Sequence, residues 1–138
     1  MKLVVTHSER VRSAVLGGMG WLKEGGLLQG VFANAGKNNA KANAALSSCF
    51  RALSKLAVTE DEIRAVKVPV TLIVGDKDVC RALYVEPARR VRPDWPGKLI
   101  AGADHLTCIA MPDFKKQVVA AIDRCAEKRP EPRDLSSA

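Results

Sequence analysis

Hydrophobic and polar positions alternate along the chain in blocks that predict three strands separated by helices. The strongest strand pattern is Val70–Val74, in which every residue is aliphatic or β-branched. A short run that is apolar on both faces is typical of a strand buried in a parallel sheet. Val11–Leu16 predicts an earlier strand and Lys98–Ile100 a short later one. This alternation of strand and helix predicts an α/β fold with a three-stranded parallel sheet and right-handed crossovers.

Helical patterns lie between these strands and after the last of them. Thr59 and Glu62 have the spacing of a capping box, which predicts a helix that begins there and ends at about Val66. An apolar stripe at helical spacing predicts a final helix over 112–127, with a proline in its first turn. Further helical segments are predicted at 1–6, at 37–56 (as one helix or two) and at 84–91.

The remaining segments are rich in glycine or in polar residues. A polar turn is predicted at 7–10, and glycine-rich connections are predicted from the end of the first strand through Gly36. The tail at 129–138 is polar and contains proline, which predicts disorder. We therefore expect one α/β unit over 1–128, with a helical, cap-like segment at about 20–66.

Length and composition restrict the class of protein further. The 138 residues are 47% hydrophobic and 27% charged, which is enough apolar chain to bury the core of one domain. No apolar run approaches the roughly 20 residues of a membrane span, and the first ten residues are too polar for a secretory signal. The four cysteines form no C-x-x-C pair. These features predict a cytoplasmic protein with reduced thiols and no membrane partner.

The net charge of +7 raises the question of a nucleic-acid partner. The basic residues are scattered, apart from Arg89–Arg92 and a pair at 128–129, and aromatic residues make up only 4% of the chain. No aromatic side chain is interleaved with the arginines to stack on bases. We therefore predict no nucleic-acid partner, and we interpret Arg89–Arg92 as the solvent-facing side of a helix.

Candidate chemistry lies in the three loops that follow the predicted strands, because parallel sheets collect functional groups at the carboxyl ends of their strands. These loops are 17–21, 75–80 and 102–108. Asp78 and His105 follow adjacent strands with one crossover helix between them, so we expect them to lie within hydrogen-bonding reach. A carboxylate that accepts from one ring nitrogen fixes the histidine tautomer, and the other nitrogen can then act as a base. His7 lies at the opposite end of the first strand.

Other interpretations of these loops stay open. Asp78, Cys80, His105 and Cys108 are all possible zinc ligands, and H-x-x-C is a workable spacing, although Asp-x-Cys is an uncommon ligand pair. Buried cysteines are also frequently small core residues. Met19 and Trp21 are candidates for lining a substrate pocket, and a tryptophan at such a position is equally typical of the core.

The segments VPVTLIVGDKD (68–78) and LIAGADH (99–105), followed by a last helix, resemble the C-terminal half of an α/β-hydrolase fold protein. The segment HSERVRSAVLGGMG (7–20) is similar to the one that follows the nucleophile helix in that family. The resemblance implies that Asp78 is the acid and His105 the base of a Ser-His-Asp triad, with Asp76 the weaker acid candidate. It also implies a substrate that is an ester, a lactone or a similar small carbonyl compound, and no cofactor.

The chain departs from the family in one respect. The G-x-S-x-G elbow that carries the family's nucleophile and part of its oxyanion hole occurs nowhere in the 138 residues. Met1 would begin inside the helix that follows the elbow. We therefore expect a C-terminal portion that is inactive alone, or a non-catalytic fragment kept for binding or association. Val11–Leu16 would then be an unpaired sheet edge prone to self-association.

Overall fold

The computed structural model describes residues 1–18, 20–38 and 43–127. Three strands form one parallel sheet in the order β1-β2-β3, with β1 at Ala14–Gly17, β2 at Val70–Gly75 and β3 at Gly97–Ile100. The predicted parallel α/β arrangement is confirmed. Strand β1 begins three residues later than predicted, because Val11 ends a 3-10 turn instead of opening the strand.

Helices flank this sheet and connect its strands. The α-helices are α1 (Lys2–Thr6), α2 (Leu27–Asn38), α3 (Ala44–Ser54), α4 (Glu60–Ala65), α5 (Glu86–Val91) and α6 (Pro112–Glu127). Two 3-10 turns lie at Ser8–Arg10 and Cys108–Ala110, and a π-helical turn at Arg81–Val85 leads into α5. None of the described helices is long and apolar enough to cross a membrane.

The core lies on both faces of β2, as its sequence predicts. All six of its residues are buried, and alternate side chains point to opposite faces. Val70, Leu72 and Val74 pack into a cluster with residues of α1 and α4, whereas Ile73 packs with Ile100 against α6. The capping box of α4 is complete: Thr59 Oγ1 accepts from the N–H of Glu62 at 3.1 Å, and the Glu62 carboxylate accepts from the N–H of Thr59 at 2.7 Å.

The glycine-rich connection predicted through Gly36 is wrong, because 27–38 forms α2. Glycine costs about 1 kcal/mol in a helix, but here it permits close packing against α3. Gly36 is buried, its carbonyl accepts from Ser47 Oγ, and a β-carbon there would press against Arg51. Phe32 and Phe50 stack between the two helices with their ring centroids 6.3 Å apart. Packing against α3 therefore stabilises α2 despite the low helix propensity of its glycines.

Helices α2 and α3 form a hairpin of their own. No described residue of either helix belongs to the two clusters of core residues that cover the sheet. Of the helix predicted at 37–56, residues 37–38 belong to α2 and residues 44–54 form α3. Residues 39–42 of that prediction, and the tail predicted to be disordered at 129–138, lie outside the described residues.

The interpretation of Arg89–Arg92 as a solvent-facing run holds for Arg89 and Arg90 but is wrong for Arg92. The Arg92 side chain is only 15% exposed and lies over the Trp95 ring, 4.6 Å from its centroid. Its guanidinium forms a two-pronged ion pair with Asp94 and also donates to the carbonyl of Ile63. Arg92 therefore ties α5 to α4, a role that its sequence neighbours do not reveal.

The end of β2 passes so close to the loop after β3 that a side chain there has no room. A β-carbon on Gly75 would overlap the carbonyl oxygen of Ala103. We expect Gly75→Ala to lower the free energy of unfolding by about 2–3 kcal/mol, because the backbone must move to relieve the overlap. Gly30→Ala, at an exposed position of α2 with open space around it, should instead stabilise by about 0.5–1 kcal/mol. Urea unfolding of both variants measures this difference, and equal stability would contradict the close crossing.

Candidate active site

The loops after β2 and β3 are held together by backbone hydrogen bonds at the carboxyl edge of the sheet. The N–H of Asp76 donates to the carbonyl of Ile100 at 3.1 Å, and the N–H of Lys77 donates to that of Ala103 at 3.0 Å. These bonds continue the pairing of the two strands beyond their ends. The side chains that follow, Asp78 in one loop and His105 in the other, are thereby placed next to each other.

Asp78 lies beneath the surface and is fully engaged. Its side chain has no exposed surface; Oδ1 accepts from the N–H of Cys80 at 2.8 Å, and Oδ2 lies 3.0 Å from Nδ1 of His105. Burial alone would raise the pKa of the Asp78 carboxyl, but the hydrogen bonds from Cys80 and His105 outweigh that effect and hold the pKa below its usual value. Because the ionised carboxylate can only accept, the proton of the contact belongs to Nδ1 of His105.

His105 lies above Asp78 and is accessible. Its side chain is 50% exposed, and no described residue forms a hydrogen bond with Nε2. Gly18, just after β1, lies beside the pair: its φ is +72°, and a β-carbon there would lie 3.3 Å from Cε1 of His105. The pair thus presents a basic nitrogen outward with its tautomer fixed from below.

Asp104 holds the loop that carries His105. Its Oδ1 accepts from the N–H groups of Leu106 and Thr107 at 3.0 and 2.9 Å and from Thr107 Oγ1 at 2.8 Å. Sequence reasoning passed over this role, although an aspartate followed by a threonine three residues later is a recognisable local capping pattern. Gly18 was likewise missed as a neighbour of the pair, since its contact depends on the position of β1 beside β2.

Two other titratable candidates lie apart from the pair. Asp76 is exposed, and its carboxylate makes no hydrogen bond with any described residue. His7 lies before β1 at the amino edge of the sheet, where its Nδ1 is 3.8 Å from the carboxylate of Glu9. Neither side chain contacts His105 or Asp78.

Of the four possible zinc ligands, the structure brings three together. Ligand atoms of Asp78, Cys80 and His105 all lie within 4.8 Å of one another, and Cys108 is not part of this group. Burial and the nearby Asp78 carboxylate raise the pKa of the Cys80 thiol to about 11, and burial likewise raises the pKa of Cys108. Both are thiols at neutral pH, which disfavours either cysteine as a nucleophile in the metal-free protein.

Trp21 is both a core residue and a pocket residue, the two roles that its sequence position suggested. Its side chain packs in the main core cluster, and its indole N–H donates to the carbonyl of Val58 at 2.8 Å. One side of the residue borders an apolar pocket of about 250 Å³. The pocket is otherwise lined by residues of the segment 22–31, the π-helical turn and the start of α5, namely Leu22, Lys23, Gly26, Leu27, Leu28, Val31, Leu83, Tyr84 and Pro87. The other pocket candidate, Met19, lies outside the described residues.

Solved structures share this fold at low sequence identity. NosK from Streptomyces actuosus is 17% identical with a TM-score of 0.57, and the match covers 91% of this chain and 64% of that one. A carboxylesterase of the thaumarchaeon Nitrososphaera gargenis matches with 12% identity, a TM-score of 0.60 and coverages of 91% and 61%. This chain has part of the α/β-hydrolase fold.

These matches cover only part of the length of the solved structures. The enol-lactonase from Burkholderia xenovorans LB400 is 16% identical, with a TM-score of 0.50 and coverages of 88% of this chain and 60% of its own. This chain thus spans less than two thirds of the length of the α/β-hydrolase structures that it matches. No protein-family model matches the sequence, and no curated protein is significantly similar to it.

Proposed function

We propose that this chain supplies the acid and the base of a Ser-His-Asp hydrolase that acts on an ester, a lactone or a similar small carbonyl compound. One observation carries the proposal: the buried Asp78 carboxylate lies 3.0 Å from Nδ1 of a half-exposed His105. The α/β-hydrolase fold supports it, since the pair lies at the carboxyl edge of the sheet.

In this proposal the two residues divide the work in the usual way of such triads. Nε2 of His105 removes the proton from a serine hydroxyl as the oxygen attacks the carbonyl carbon, and it returns the proton to the leaving group. Asp78 keeps the ring in the required tautomer and stabilises the imidazolium that forms. Because Asp78 is buried and its second oxygen is held by Cys80, it can orient the ring without being solvated itself.

The nucleophile and the oxyanion hole would come from a segment outside these residues. No G-x-S-x-G elbow occurs in the 138 residues. The partial match to longer hydrolases supports this division of the machinery. We propose that the unit at 1–128, with 20–66 as its cap-like part, corresponds to a C-terminal portion of such a hydrolase.

The apolar pocket beside Trp21 supports a substrate with a small apolar group. A space of about 250 Å³ accommodates a short aliphatic or aromatic moiety. Two residues of its lining are near the site in the chain: Trp21 lies three residues after Gly18, and Leu83 lies three residues after Cys80. The enol-lactonase and carboxylesterase named above support carbonyl substrates as the class.

The test is ester hydrolysis by a longer protein in which a strand, a G-x-S-x-G elbow and the start of the following helix precede Met1. Nitrophenyl acetate is a suitable substrate because its hydrolysis does not depend on a particular acyl pocket. Turnover that depends on His105 supports the proposal, and turnover that is indifferent to His105 overturns it.

A second candidate function, association without catalysis, is favoured by the position of β1. It pairs with β2 on one side only, and no described strand lies on its other side. The N–H groups of Ala14 and Gly18 donate to the carbonyls of Pro69 and Ile73, so the N–H of Val15 points away from β2. A row of unpaired backbone groups that faces outward in this way can pair with a strand of another molecule.

We therefore expect the isolated chain to associate, and Val15→Pro to reduce that association. The substitution removes an outward N–H and leaves the hydrogen bonds to β2 in place. Val15→Ala is the matched control, because it trims the same side chain and keeps the N–H. Light scattering measures the mass and circular dichroism checks the fold. A monomeric wild-type chain would contradict the expected association.

A further inference from the structure

We propose that Asp78, Cys80 and His105 form a binding site for a divalent transition metal of the zinc class, in which the metal replaces the hydrogen-bonded proton between Asp78 and His105. Their ligand atoms lie within 4.8 Å of one another. A carboxylate oxygen, a thiolate sulfur and an imidazole nitrogen are all ligands that zinc prefers. Binding does not depend on the proposed hydrolysis; only its inhibitory consequence does.

The distance between the carboxylate oxygen and the imidazole nitrogen is close to the one that a tetrahedral metal requires. Two ligands about 2.1 Å from a zinc ion at a tetrahedral angle are about 3.4 Å apart. Oδ2 of Asp78 and Nδ1 of His105 are already 3.0 Å apart. If these two atoms move apart by a few tenths of an ångström, the ion fits between them. A sulfur ligand about 2.3 Å from the ion would lie about 3.6 Å from each of the other two ligands, and the Cys80 sulfur is already within 4.8 Å of a ligand atom of both residues.

The scaffold around these three side chains is already ordered. The N–H of Cys80 donates to Oδ1 of Asp78, and the N–H of Arg81 donates to the Asp78 carbonyl at 3.0 Å, so the turn that carries two of the ligands is closed. The loop of the third ligand is joined to this turn by the bond from Lys77 to Ala103 and is capped by Asp104. Little backbone ordering therefore opposes binding.

Charge and access are also suitable. On binding, the Cys80 thiol releases its proton to solvent, and the proton on Nδ1 of His105 is exchanged through solvent to Nε2. The ion then faces one thiolate and one carboxylate, which neutralises its charge in a largely buried setting. The His105 side chain is half exposed, and a water molecule would complete the coordination, as in zinc sites with three protein ligands.

A metal at this position would inhibit the proposed hydrolase reversibly. It would occupy Nδ1 of His105 and place the proton on Nε2, the nitrogen that must accept a proton from the serine. Cys80 supplies the third ligand, so a soft metal is held where a histidine and an aspartate alone would bind it weakly.

Cobalt(II) titration of the 138-residue chain tests the proposal, because thiolate ligation gives a charge-transfer band in the near ultraviolet and tetrahedral geometry gives strong visible bands. We expect one equivalent to bind and zinc to displace it. Cys80→Ser should abolish the charge-transfer band and weaken binding by more than about tenfold, and His105→Ala should weaken it comparably. Cys108→Ser and Cys49→Ser are the matched cysteine controls and should leave both bands unchanged.

Binding that survives in Cys80→Ser, or no binding by the wild-type chain, overturns the proposal. His105→Ala removes a ligand without disturbing the fold, because that side chain is half exposed and its loss should leave the core intact. Weaker cobalt binding by this variant therefore cannot be attributed to misfolding. The readout uses no substrate. Absence of hydrolysis in the extended protein therefore leaves the cobalt result unaffected, and failure of cobalt binding leaves the hydrolase proposal standing.

Discussion

Replacing His105 with alanine should lower turnover by about a millionfold in a protein that joins this chain to a serine elbow. The loss is large because a serine hydroxyl is a weak nucleophile at neutral pH and needs a base within hydrogen-bonding reach. In this chain the other histidine, His7, lies at the amino edge of the sheet. The measurement is kcat/KM for a nitrophenyl ester, with circular dichroism to verify the fold.

Replacing Asp78, which contacts His105, should have a smaller effect in the same assay. Asp78→Asn should lower turnover by about 10⁴-fold, because an amide can hold the ring in the wrong tautomer and no longer stabilises the imidazolium. Asp76→Asn removes an exposed carboxylate two residues earlier, and His7→Ala removes the remote histidine. Both controls should retain nearly full activity. If Asp76→Asn is the more damaging aspartate change, the assignment of the acid is wrong.

The 138-residue chain alone should hydrolyse nitrophenyl esters more slowly than the protein with the serine elbow by at least about a millionfold. The proposed acid and base lie within hydrogen-bonding distance of each other, but no G-x-S-x-G serine occurs in the 138 residues to attack the carbonyl. The oxyanion-hole donor that follows such a serine is missing with it, so the residual catalysis that a donor can supply is lost as well.

The decisive control for this second prediction is His105→Ala in the isolated chain. We expect the variant and the wild type to give the same slow background rate. Rapid turnover by the isolated chain that disappears in His105→Ala would contradict the prediction. It would require a nucleophile within the 138 residues, and the raised pKa values of Cys80 and Cys108 argue against either thiol in that role.

Where local signals were strong, the sequence predicted the structure closely. Strand β2 is an aliphatic and β-branched run that is stable only when both faces are covered, and every residue of it is buried. The start of α4 follows from Thr59 and Glu62 because both capping bonds join groups three residues apart. The final helix also has the predicted bounds, since its proline and its apolar stripe are local features.

Predictions failed where distant residues outweigh local preference. The glycines through Gly36 predicted connecting segments, but residues 27–38 form α2, and the absence of a side chain at Gly36 lets that helix pack closely against α3. Arg92 belongs to a charged run in the sequence. It is nearly buried because its guanidinium lies over the Trp95 ring and donates to the carbonyl of Ile63 in α4. In both cases the stabilising partner is remote in sequence or is positioned by the fold, so no pattern within the segment encodes it.

By itself the sequence determined which strands are central, which loops follow them, and that a carboxylate and an imidazole lie at the ends of adjacent strands. That much follows from strand order, because parallel strands place their carboxyl ends along one edge. Only the tertiary structure decided the detailed geometry of the site. It buries the Asp78 side chain, places Gly18 beside the pair, and brings Cys80 but not Cys108 close to His105. Such distances depend on how two loops cross, and the crossing is set by backbone bonds between residues far apart in the chain.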